Sequence, residues 1–119
     1  MSRISGVLDD LLHKKKKALV TFITAGDPAV ECTVPALNAL VKGGADLLEL
    51  GIPFSDPEAE GPSIQASSER GLAQGVTLAK VLGLIGEFRK TNSSTPIILM
   101  GYLNSVLAMG IQNFAIRAS

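Results

Sequence analysis

Residues 44–65 read GADLLELGIPFSDPEAEGPSIQ, and this stretch predicts the fold of the whole chain. Asp46 to Leu50 is a short apolar run that Gly51 closes, a pattern typical of a strand covered on both faces. The residues from Ile52 to Gly61 contain two prolines and show no periodicity, which indicates a loop. Apolar residues then return at helical spacing between Ile64 and Leu72. A strand, a long loop and a helix in this order favour a parallel α/β protein.

Strands of the same kind are predicted on either side of this stretch. Ala18 to Thr24 (ALVTFIT) precedes it and Pro96 to Gly101 (PIILMG) follows it. A helix is expected after each strand, and another at the N terminus, where apolar residues recur at helical spacing from Ile4 to Leu12. Asp27 is a candidate cap for the helix that runs to about Val41. The chain therefore reads as one N-terminal helix followed by three strand–helix units.

Alternating strands and helices imply parallel pairing through right-handed crossovers. In such proteins ligands meet the C-terminal ends of the strands and the loops that follow them. Those positions are residues 22–27, 49–61 and 100–104, so functional side chains are expected there.

Composition excludes several function classes. The 119 residues suit a single domain over 1–119, and the eleven basic and eleven acidic residues cancel, whereas a nucleic-acid binder needs a basic surface. Cys32 is the only cysteine and His13 the only histidine, so we expect neither an internal disulfide nor a zinc site. Without a signal peptide or an apolar stretch of ~20 residues, a cytoplasmic protein without membrane contact is expected.

Glu49 stands out because a carboxylate inside an apolar strand is costly unless it is solvated, paired or functional. Near the end of the strand its side chain can point into the mouth of a pocket. A partly buried carboxyl group in that position can both donate and accept a proton near neutral pH. A structural carboxylate that holds a loop amide or a basic side chain fits the same pattern, and the residues alone leave both readings open.

Other candidates are weaker when they are taken from the residues alone. Asp56, Glu58 and Glu60 crowd the following loop, which suits a solvated loop and, less well, a magnesium site. Tyr102 and Asn104 come after the third strand, where they either line a pocket or only end the strand. Phe22, in the first strand, either packs in the core or forms part of the wall of a ligand pocket.

The motif GIPFSDP, with LEL before it and EGPSIQ after it, resembles the signature of tryptophan synthase α chains. Similar stretches are TFITAGDP (residues 21–28), SERGLAQGVTL (68–78) and PIILMGYLN (96–104). The resemblance covers essentially all 119 residues. It implies a partial (β/α)8 barrel, made of an N-terminal helix and three of the eight units, and places the chain at the N-terminal part of that barrel.

The resemblance also implies a lyase of tryptophan biosynthesis, which cleaves indole-3-glycerol phosphate to indole and glyceraldehyde-3-phosphate. No cofactor is implied for this reaction, since pyridoxal phosphate belongs to the β subunit, the partner in an α2β2 heterotetramer. Residue by residue, the resemblance assigns three groups of positions. These are Glu49 and Glu60 for catalysis, Phe22, Met100 and Tyr102 for the indole pocket, and Pro53, Asp56 and Asn104 for the β-subunit interface.

Two positions depart from the family pattern. Glu60 stands where the family normally has an aspartate, and its extra methylene shifts the carboxylate by ~1.5 Å. Glu58 stands where leucine or methionine is usual, which adds a negative charge beside Glu60. A change near 1 Å in a catalytic group costs ~100-fold in rate.

Length is the larger departure, because a closed barrel needs ~250 residues. We therefore expect this 119-residue chain to fold marginally and to lack catalysis by itself. A non-catalytic remnant that binds the β subunit is the alternative. A small doubly wound α/β domain with an unrelated ligand is a third reading.

Overall fold

The computed structural model describes residues 2–55 and 61–119. Within these ranges a parallel sheet has the order β1-β2-β3, and six helices accompany it. The strands are β1 (Val20–Thr24), β2 (Leu47–Gly51) and β3 (Ile97–Met100). The helices are α1 (Arg3–His13), α2 (Val30–Lys42), α3 (Pro62–Ala73), α4 (Leu78–Arg89), α5 (Leu103–Met109) and α6 (Ile111–Ala118). The predicted N-terminal helix and the parallel pairing are confirmed.

The start of α2 differs from the prediction that Asp27 caps it. The helix begins at Val30, and its N-cap residue Ala29 offers no side-chain hydrogen bond. Asp27 instead accepts two hydrogen bonds from Arg70 of α3, at 2.6 and 3.1 Å. The cap prediction was wrong because a residue far along the chain, which local sequence cannot reveal, provides the stronger partner for that carboxylate.

Sequence reasoning also missed α5, a helix of seven residues directly after β3. Its N-cap residue, Tyr102, makes no capping hydrogen bond. Gly110, with φ +94°, separates α5 from α6. Seven residues without a polar cap give too short a periodic pattern to recognise, whereas α6 was predicted from its apolar spacing.

The two faces of the sheet have different surroundings. In the register of the strands, Ile23, Leu50 and Leu99 are neighbours on one face. This face belongs to the hydrophobic core, into which α2 inserts Leu37 and α4 inserts Phe88. The other face carries the intervening residues of each strand, among them Phe22, Glu49 and Ile98. A ligand can bind on this face.

Candidate active site at the C-terminal ends of the strands

Glu49 is the third residue of β2 and is partly exposed. It lies in register between Phe22 of β1 and Ile98 of β3, so its side chain points away from the helix-covered core. No hydrogen bond or ion pair joins its carboxylate to another residue within 2–55 or 61–119. Within these ranges the structural reading, in which Glu49 holds a loop amide or a basic side chain, therefore has no partner to support it.

A small hollow opens on the same face, just beyond the ends of the strands. Three of its walls are Phe22, Met100 and Tyr102, the residues that were predicted to line the indole pocket. The free space is about 10 Å³, roughly what a single water molecule needs. Gly51 permits this packing, because a Cβ atom there would lie 2.7 Å from the tip of the Phe22 ring. An indole ring can enter only if these side chains move apart.

Tyr102, which lines the hollow, belongs to an aromatic pair. The rings of Phe54 and Tyr102 stack with their centroids 4.9 Å apart and their planes 28° from parallel. Phe54 follows β2 and Tyr102 follows β3, so the pair ties together two neighbouring loops. Phe54 was not predicted as a site residue. Its place after the end of a strand, inside the GIPFSDP motif, was the signal that could have identified it.

Hydroxyl groups of α3 hold the loops in place. The backbone N–H of Phe54 donates to Ser68 Oγ at 2.9 Å, and the Ser68 hydroxyl donates back to the Phe54 carbonyl at 3.3 Å. Ser67 and Thr24 share a buried hydrogen bond of 2.7 Å. Helix α3 therefore fixes both the end of β1 and the loop after β2, a role that the sequence did not reveal.

The other contacts of α3 are an ion pair and a close backbone approach. Arg70 binds Asp27 with two hydrogen bonds, which raise the pKa of Arg70. The next residue, Gly71, has no room for a side chain, since a Cβ atom would lie 2.6 Å from both the Ala25 carbonyl oxygen and Pro53 Cγ. Arg70 and Gly71 thus hold α3 tightly against the loops that end β1 and β2.

Of the other residues that were predicted to belong to the site or to the β-subunit interface, the structure describes two. Pro53 is buried against Gly71, and Asn104 is exposed on α5. Asp56, Glu58 and Glu60 lie outside the described residues. The partner-interface assignments of Pro53, Asp56 and Asn104 stay predictions, as does the catalytic assignment of Glu60.

Within residues 2–55 and 61–119, no three His, Cys, Asp or Glu side chains lie close enough together to hold a metal ion. In the same ranges no helix combines the length and the apolar character that crossing a bilayer requires.

Comparison with known proteins identifies the family. The family model described as the tryptophan synthase alpha chain matches residues 8–119, which is nearly the whole sequence. The chain belongs to the tryptophan synthase α chain family. Two relatives with that name, from Janthinobacterium sp. (strain Marseille) and Dechloromonas aromatica (strain RCB), are 60% and 56% identical to it over 118 and 119 residues.

Solved structures of tryptophan synthase agree with this assignment. The α subunit from Legionella pneumophila str. Paris superposes with a TM-score of 0.98 at 52% identity, and the match covers 99% of this chain and 45% of that one. Tryptophan synthase from M. tuberculosis in its aminoacrylate-bound form gives 0.89 at 32% identity, covering 98% and 47% of the two chains.

These matches also define how much of the fold is present. The chain spans 44% of the length of the Janthinobacterium and Dechloromonas relatives. Its three parallel strands in consecutive order form part of a TIM barrel. The doubly wound alternative is therefore wrong, since the tryptophan synthase α chains on which this chain superposes are TIM barrels.

Proposed function

We propose that this chain supplies the acid–base part of a site that cleaves indole-3-glycerol phosphate into indole and glyceraldehyde-3-phosphate. The observation that supports the proposal is the position of Glu49. Its carboxylate lies on the open face of the sheet, in register with Phe22, and the hollow that Phe22, Met100 and Tyr102 line opens on that face. A proton donor beside an aromatic pocket is the arrangement that a retro-aldol cleavage of an indole derivative needs.

In the proposed reaction the Glu49 carboxyl group gives its proton to the indole ring carbon that carries the glycerol phosphate chain. The ionised carboxylate then removes the proton from the hydroxyl group on the adjacent chain carbon. The bond between the two carbons breaks, its electron pair returns to the ring, and the hydroxyl carbon becomes the aldehyde. Glu49 ends protonated, so it is regenerated in each turnover, and no redox cofactor is required.

Glu60 has the second role in this proposal, by resemblance to the family. Its carboxylate would accept a hydrogen bond from the indole N–H and stabilise the positive charge that protonation of the ring creates. The proposal includes no cofactor in this chain, since pyridoxal phosphate would serve only the β subunit.

The 119 residues by themselves are proposed to give no measurable turnover. The part of the chain that the structure describes contains three strands, whereas a closed barrel has eight and ~250 residues. Walls of the pocket from later units would be needed to hold the substrate and to exclude water from Glu49. Assays of catalysis therefore need a full-length protein that contains this chain.

A chimera provides that protein. In it, this chain is continued after Ser119 by the corresponding remainder of the Janthinobacterium relative, which is 60% identical over the shared part. We expect the chimera to release indole from indole-3-glycerol phosphate. We expect Glu49→Gln, which keeps the size of the side chain but removes the exchangeable proton, to lower kcat by ~10²- to 10⁴-fold.

Glu31→Gln is the matched control, because it makes the same substitution at an exposed position in the first turn of α2. It should keep the activity of the chimera. Urea unfolding of both variants separates a catalytic loss from a loss of folding. The proposal would be overturned if Glu49→Gln kept more than a tenth of the activity, or if a folded chimera released no indole.

Binding of the β subunit is the second candidate function. It is favoured by exposed apolar side chains beside Asn104 on α5, with Leu103 65% and Leu107 54% exposed. The structure of the Pyrococcus furiosus protein is described as a tryptophan synthase complex, and it superposes on 85% of this chain with a TM-score of 0.78. If α5 contacts the β subunit, the Leu107→Ser variant of the chimera should capture less β subunit in a pull-down than the unmodified chimera. The Leu12→Ser variant, changed on exposed α1, should capture as much as the unmodified chimera. Equal capture by the chimera and both variants would exclude α5 from the interface.

A further inference from the structure

A series of contacts runs from α3 to the wall of the hollow that Tyr102 forms. Ser68 of α3 is buried, and its hydroxyl group bonds both polar groups of the Phe54 backbone. It accepts from the N–H at 2.9 Å and donates to the carbonyl at 3.3 Å, which uses both capacities of a hydroxyl group. The Phe54 ring then stacks on the Tyr102 ring. Ser68 is therefore joined to Tyr102 through Phe54.

Helix α3 is a fixed support for these contacts, because residues other than Ser68 attach it to the end of β1. Arg70 binds Asp27 through two hydrogen bonds of 2.6 and 3.1 Å. Ser67 adds a buried hydrogen bond of 2.7 Å to the last residue of β1. Loss of the Ser68 hydroxyl group should therefore release the Phe54 peptide and leave α3 where it is.

Tyr102 differs from the other aromatic wall of the hollow in how its backbone is held. Phe22 lies inside β1, where it is paired in register with β2. Tyr102 lies beyond the end of β3, as the N-cap residue of α5. Its ring position therefore depends more on what packs behind it, and the Phe54 ring packs there. Phe54 is not among the described residues that line the hollow, so it acts on the hollow only through Tyr102.

We propose that Ser68 is a positioning residue for the indole pocket and sets its affinity for the indole ring through the Phe54–Tyr102 stack. With the hydroxyl group in place, the Phe54 peptide keeps one orientation and its ring keeps Tyr102 in place as a wall. Without it, the ligand has to order these two residues when it binds, which lowers the affinity. The inference rests on the proposed function, because it takes the hollow to be the indole pocket.

Equilibrium dialysis of indole against the chimera tests the proposal. Ser68→Ala should weaken indole binding by about three- to tenfold, the effect of one or two hydrogen bonds. Ser63→Ala makes the same change at an exposed position in the first turn of α3, and its affinity should stay within about twofold of the unmodified chimera. Urea unfolding establishes that each variant is folded under the dialysis conditions.

A double variant separates positioning through Phe54 from direct contact, since Ser68 itself lines the hollow. Phe54→Leu removes the stacked ring and keeps the backbone groups that bond Ser68, and it should also weaken indole binding. If Ser68 acts through this ring, the double variant should bind within about twofold of the weaker single variant. If Ser68 only touches indole directly, the two losses should multiply.

Kinetics of the chimera give a readout that a purely structural role would not move. Ser68→Ala should raise KM for indole-3-glycerol phosphate by about the factor found for indole, with kcat within about twofold of the unmodified chimera. A loss of folded protein would instead lower kcat and leave KM unchanged.

The proposal is overturned if Ser68→Ala binds indole within twofold of the unmodified chimera, if the losses multiply in the double variant, or if Ser63→Ala weakens binding as much. Should Ser68→Ala fail to fold, Phe54→Leu decides, and an unchanged affinity in that variant overturns the proposal. A chimera that shows these effects on indole binding but cleaves no substrate overturns the proposed function alone. One that cleaves substrate with no effect of Ser68→Ala overturns only this inference.

Discussion

The two faces of the sheet are built from alternating residues of the same strands and differ in how deeply their side chains are buried. On the helix-covered face Leu48 and Leu50 are fully buried. On the open face Val20 is 47% and Ile98 37% exposed, and Glu49 lies between the strands that carry them. Burial of the first face stabilises the fold. The second face keeps the side chains that can meet a ligand.

The difference shows how a short strand serves two purposes. Because successive side chains alternate, a change of one position moves a residue from the core to the site. Leu48 and Glu49 are neighbours in sequence, but Leu48 belongs to the same core cluster as Phe88, whereas Glu49 faces the opposite side of the sheet. Substitutions at adjacent positions should therefore separate stability from activity. The free energies of unfolding below refer to urea denaturation of the chimera.

The largest difference is expected between two phenylalanines. Phe88→Ala empties a fully buried position of the core and should lower the free energy of unfolding by ~3–5 kcal/mol. Phe22→Ala, on the open face, should cost about 1–2 kcal/mol, since Phe22 is only half-buried. It should mainly weaken the binding of indole. Equal losses of stability would show that the open face is part of the core after all.

The adjacent pair in β2 gives the second comparison. Leu48→Ala should lower the free energy of unfolding by ~2–5 kcal/mol with an unchanged kcat for the folded protein. Glu49→Gln should change stability by only about 0.5 kcal/mol and abolish most of the activity. A large loss of stability in Glu49→Gln, without a specific loss of kcat, would make this carboxylate structural.

Two helical glycines test how closely α3 must approach the strand ends. Gly71→Ala places a Cβ atom against the Ala25 carbonyl and Pro53, and should cost ~1–3 kcal/mol. Gly83→Ala in α4 meets no atom within 4 Å and should stabilise the protein by about 1 kcal/mol, as alanine favours the helix. Effects of the same sign would contradict the close packing of α3.

The smallest expected effect concerns the start of α4, which covers the core face. Thr77 caps this helix by accepting a hydrogen bond from the Lys80 N–H. Thr77→Ala should lower the free energy of unfolding by about 1 kcal/mol, and Thr77→Ser should restore most of it. Activity should not change in either variant, because Thr77 does not line the hollow.

The predicted parts of the site were those that depend on strand ends and on the family motif. Phe22 comes from the first strand, Met100 and Tyr102 come from the end of the third, and the structure brings the three side chains to one hollow. Phe54, Ser67 and Ser68 were missed. A serine inside a helix gives no sign of whether it faces solvent or holds a distant loop, so these contacts could not be anticipated.

The sequence by itself determined the strand–helix order, the parallel pairing and the family, because apolar periodicity and the GIPFSDP motif are local properties of the chain. Tertiary structure alone decided that Asp27 binds Arg70 and that Thr24 binds Ser67. Both contacts join residues 43 positions apart, whose approach results from the packing of α3 against the sheet. No local pattern in the chain encodes such a meeting.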